Sequence, residues 1–63
     1  MDQQIVRERI HLLRAEIAKI GAENREFRSA ARPTYLEIQQ HRRREDRLVR
    51  IIDEIAALTV IRP

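Results

Sequence analysis

Apolar residues in this chain recur at alternating steps of four and three, and the pattern is interrupted once, by a helix stop and restart near the midpoint. Val6, Ile10, Leu13, Ile17, Ile20, Asn24, Phe27 and Ala31 carry the first half; Ile38, His41, Glu45, Leu48, Ile52, Ile55 and Thr59 resume the same phase. A 4-3 repeat gives a helix one stripe to present to another helix. The chain therefore reads as two helices of nearly equal length, each with a seam. The expected fold class is all-α: an antiparallel two-helix hairpin that dimerises into a four-helix bundle.

The interruption places the helix ends. Asp2 is the expected N-cap of the first helix, its carboxylate favourable at the positive end of the helix dipole. From Gln3 to Arg28 only Gly21 opposes helix, at roughly 1 kcal/mol relative to alanine. It lies beside the seam, where it either admits close approach of another helix or simply weakens this one. Pro33 removes a backbone donor and pushes Arg32 out of helical geometry. Thr34-Tyr35-Leu36-Glu37 then reads as a capping box, with Thr34 as N-cap and Glu37 reaching back. Residues 1–63 are taken as a single helical-hairpin domain with a helix over 3–29, a turn over 30–34 and a helix over 35–60. The rival is one long helix kinked at Pro33, since the heptad phase survives the break. Proline together with a capping box argues more strongly for a turn.

Folding at the turn brings matched seam positions together. Ile10 is expected opposite Ile55, Leu13 opposite Ile52, Ile17 opposite Leu48 and Phe27 opposite Ile38, with Val6 and Ile20 completing the core. Each is the layer an antiparallel coiled coil favours. The apolar positions are also wider than one seam needs. Ile5 and Leu12 add a second stripe to the first helix, and Val49, Ile51, Ala56 and Leu58 widen the second, all at the end away from the turn. Burial against more than one neighbour follows. The expected oligomer or partner interface is Ile5, Leu12, Val49, Ile51, Ile55 and Leu58. A homodimer is favoured over docking on an unrelated protein.

Size supports that reading. A 63-residue chain with two aromatic residues, Phe27 and Tyr35, and no cysteine has a small core and no disulfide or thiolate metal site to reinforce it. No apolar run approaches the roughly 20 residues needed to span a bilayer. The start, Met1-Asp2-Gln3-Gln4, lacks the basic and apolar stretches of a secretory signal, so an unprocessed cytoplasmic protein that makes no membrane contact is expected.

The formal charge is +3, and twelve of the thirteen basic residues are arginine. Coding bias is the plainer reason; selection for arginine's bidentate recognition of carboxylate or phosphate is the other. Arg42, Arg43, Arg47 and Arg50 form the surface on which a nucleic-acid-binding helical dimer would rest, the alternative function. Glu45, Asp46, Asp53 and Glu54 are interleaved with them, and no aromatic platform is present for stacking on bases.

Within the polar run from His41 to Arg47, the seam positions His41 and Glu45 are expected to join Asn24 in a polar layer that fixes register at some cost in stability. Glu37, His41 and Glu45 share a helix face, but the Glu-x-x-His signature of metal-binding bundles is absent, so no metal or cofactor is expected. His11 lies outside the seam. The only serine, Ser29, sits in the turn region, and one glycine cannot form a phosphate-binding loop. A non-enzymatic interaction module is the reading: a small adaptor, regulator or assembly subunit.

Overall fold

The computed structural model describes residues 3–59, in which two α-helices, α1 (Gln3–Ser29) and α2 (Tyr35–Thr59), are joined by a short turn. Asp2 and Val60, the expected cap of α1 and last residue of α2, lie outside the described residues. At the end of α1 the Ala30 N–H donates to the Phe27 carbonyl at 3.2 Å, and the Ser29 hydroxyl donates to the Glu26 carbonyl at 2.8 Å. These bonds satisfy groups that the last helical turn leaves without partners. After Pro33 the capping box forms in both directions. The Thr34 N–H donates to Glu37 Oε1 at 2.9 Å, and the Glu37 N–H donates to Thr34 Oγ1 at 3.1 Å. The turn is built without a cis peptide or a positive φ among the described residues.

Arg9 meets Glu54, Glu16 meets Arg47 and Asn24 meets His41, so the helices run antiparallel. The molecule is a rod of 49 × 15 × 15 Å. Its core is thin. Leu13, Ile20 and Ile51 are buried, and Ile17, Leu48, Ile55 and Leu58 pack partly buried against them.

The expected seam of α2 is corrected here. Ile51 is fully buried, whereas Ile52, expected to face Leu13, is 59% exposed. The face that meets α1 runs through Arg44, Leu48, Ile51, Ile55 and Leu58: Leu48 and Ile55 keep their places while Ile51 and Leu58 replace Ile52 and Thr59, which turns α2 by about 50°, half the step of one residue, along this part of its length. The 4-3 spacing permits either phase. Packing decides between them: the observed phase tucks Leu58 against the core where the other would place Thr59. It also brings Arg47 and Glu54 within reach of α1. Near the turn, Phe27 stacks on His41, with ring centroids 4.3 Å apart and planes 8° from parallel.

The accessible surface is 5609 Å². A compact monomer of 7.5 kDa would expose about 4,200 Å². This hairpin has helices packed on one side only, and the rest of each helix faces outward.

Candidate interaction surface

Two edges flank the seam, and they differ in chemistry. Along one edge, Ile5, Arg9, Leu12 and Glu16 follow each other in steps of four, three and four and so form one row on α1. Arg9 donates from Nε to Glu54 Oε2 at 2.5 Å and from Nη2 to Oε1 at 3.0 Å. Arg47 donates from Nε to Glu16 Oε2 at 2.6 Å and from Nη2 to Oε1 at 2.8 Å. Both are bidentate guanidinium–carboxylate pairs, the geometry in which arginine outperforms lysine. The charge order reverses between the two pairs, which penalises a slipped register.

Hydrogen bonding to Arg47 and to Arg9 holds the Glu16 and Glu54 carboxyls below the ordinary glutamate range, and the same bonds raise both guanidiniums. The four side chains are 36–45% exposed, so water and salt screen much of the attraction. Ile5 and Leu12 stand on this sealed edge, each 60% exposed.

The opposite edge has no ion pair between the helices among the described residues. On α1 it carries Ile10, Arg14, Ile17 and Gly21, and on α2 Glu45, Val49, Ile52 and Ala56, again in steps of four, three and four. Ile10 and Ile17 are half-buried; Val49 and Ile52 are each 59% exposed. Apart from its chain neighbours and its own helical backbone, nothing lies within 4 Å of the position a Gly21 Cβ would take.

The residues expected to form a single interface therefore divide three ways. Ile5 and Leu12 lie on the sealed edge and Val49 on the open one. Ile51 is corrected to a core position: its full burial between the helices removes it from any outer surface. Ile55 and Leu58 pack against that core, partly buried. Ile52, assigned by sequence to the core, is exposed instead. The signal that could have separated them is in the sequence: 48-51-55-58 is aliphatic throughout, whereas 48-52-55-59 ends on threonine.

The polar layer contains one member more than expected. His41 Nδ1 lies 3.2 Å from Asn24 Oδ1, and Arg44 donates from Nε to the same oxygen at 2.8 Å. A guanidinium only donates, so the Asn24 oxygen is the acceptor and His41 Nδ1 must donate to it. His41 Nε2 lies 2.5 Å from Glu45 Oε1, a second acceptor. Glu37 is occupied by the capping box, where the Thr34 N–H holds its carboxyl below the ordinary range. Among the described residues no three His, Asp or Glu side chains gather as a metal site.

No known family, curated protein or solved structure matches this chain. No helix among the described residues is long and apolar enough to cross a membrane.

Of the arginines considered for nucleic acid, Arg42, Arg43 and Arg50 are exposed, and Arg47 is engaged by Glu16. Arg43, Asp46, Arg47 and Arg50 line a shallow hollow on α2. The acid in its wall and the pairing of Arg47 leave only part of its positive charge for phosphate. Sequence reasoning missed both interhelical ion pairs and the role of Arg44. Opposite charges at facing heights, Arg9 with Glu54 and Glu16 with Arg47, were the available signal.

Proposed function

We propose that this chain is a small helical interaction module, an adaptor, regulator or assembly subunit, which works by self-association and protein–protein contact. The observation that carries the reading is incomplete burial. Among the described residues only three side chains are buried, while Ile5, Leu12, Val49 and Ile52 are 59–60% exposed. A fold this small needs further apolar burial to be stable, and a second helical surface is the cheapest source. The surface in excess of a compact monomer, roughly 1,400 Å², is larger than the about 800 Å² per partner of a standard interface.

Light scattering across a dilution series tests the reading. A mass of two chains or a higher multiple, falling on dilution together with helicity, is expected. A helical monomer at every concentration rejects self-association and leaves docking on another protein.

The nucleic-acid reading rests on Arg42, Arg43 and Arg50 and has weaker support, because Arg47 is neutralised within the hairpin. Mobility shift with generic RNA and DNA at low salt is expected to show no complex; binding that weakens steeply with salt would favour this reading instead.

A further inference from the structure

The open edge carries features that the sealed edge lacks. Ile10 and Ile17 on α1, with Arg14 between them, and Val49 and Ile52 on α2 form an aliphatic strip that no ion pair between the helices crosses among the described residues. Gly21 continues it towards the turn as a place where a neighbouring backbone meets no side chain. The charges beside the strip are largely sorted by helix: Arg7, Arg14 and Arg25 on the α1 side, and the carboxylates Glu45 and Asp53 on the α2 side, where Arg42 follows only beyond Glu45, towards the turn.

Two symmetric ways exist to cover such a strip with a second copy. With both turns at the same end, α1 of each protomer lies antiparallel on α2 of the other. With the turns at opposite ends, α1 lies on α1 and α2 on α2. The heights of the charges separate these. Since Arg9 is level with Glu54 and Glu16 with Arg47, Asp53 falls between Arg7 and Arg14, and Glu45 falls between Arg14 and Arg25. A same-end pair places each carboxylate between arginines of the partner. An opposite-end pair sets arginine row against arginine row, a repulsive juxtaposition.

We infer that the open edge, Ile10-Ile17-Gly21 with Val49-Ile52-Ala56, is the interface of a two-fold dimer in which α1 packs antiparallel on the partner's α2 and both turns lie at one end. The inference rests on the self-association reading above and deepens it. The sealed edge, with Ile5 and Leu12, then stays on the outside of the bundle.

The experiment combines light scattering with distances between spin labels at a turn cysteine, Arg32→Cys, in a chain that has no other cysteine. A dimer is expected with labels about 20 Å apart, the width of two packed helical layers. Ile52→Asp is expected to raise the dimer dissociation constant on the order of 100-fold, and Leu12→Asp to leave it unchanged. Arg14→Glu weakens the dimer, and adding Glu45→Arg restores it, which a loss of folding would not do.

A monomer at every concentration overturns the self-association reading itself. A dimer that survives Ile52→Asp but dissociates with Leu12→Asp overturns the choice of edge alone. A label separation near the 49 Å length of the rod overturns the same-end arrangement.

Discussion

Glu16 and Glu54 each accept two hydrogen bonds from an arginine on the opposite helix, and both carboxyls are held below the ordinary glutamate value of about 4.3. A carboxyl whose folded value is depressed stabilises the fold above its unfolded value and loses that contribution as the pH falls through the folded one. Glu37, lowered by the Thr34 N–H, acts in the same sense. Thermal midpoints followed by circular dichroism should therefore fall as the pH drops below the ordinary glutamate range, and less so in Glu16→Gln/Glu54→Gln. Equal acid sensitivity in both proteins would show that these pairs add nothing. The capping box makes a separate prediction. Thr34→Ala removes the acceptor for the Glu37 N–H and should cost about 1 kcal/mol in urea unfolding. An unchanged midpoint would mean that Pro33 alone starts α2.

At the scale of the helices, the decisive fact is the rotation of α2 that buries Ile51 and exposes Ile52. Ile51→Ala should cost about 2–5 kcal/mol, enough to abolish helicity in a chain with so small a core. Ile52→Ala should cost less, and by an amount that depends on protein concentration. The reverse ranking would return the seam to the phase through Ile52. The existence of two helices, their antiparallel direction and the restart at Tyr35 were legible because they rest on local rules: proline geometry, the Thr34–Glu37 box and the 4-3 period. The facing residue was not read, because Ile51 and Ile52 are the same amino acid and periodicity alone scores them alike. The difference lies one turn on, in Leu58 against Thr59, and in the contacts with the partner helix, which place Leu58 against the core and Arg47 and Glu54 against α1. The polar layer was legible at Asn24 and His41, whereas Arg44 enters it through the same rotation.

For the whole molecule, the contrast between its edges governs behaviour. Gly21 offers a direct probe. Alanine there should raise intrinsic helicity, since glycine is unfavourable by roughly 1 kcal/mol within a helix and nothing in the chain opposes the added carbon. If another helix approaches at that point, Gly21→Ala should instead weaken association while the dilute protein gains helicity. Sedimentation and circular dichroism on the same samples read both, and gains in both would place Gly21 outside any contact. The two edges also respond to dissolved ions in opposite senses. Added chloride screens the guanidinium–carboxylate clasps and loosens the sealed side. Strongly hydrated sulfate makes bare isoleucine and valine costlier to leave in water and so favours covering the other side. The identity of the salt, more than its concentration, thus acts as a dial on which side of this rod yields first.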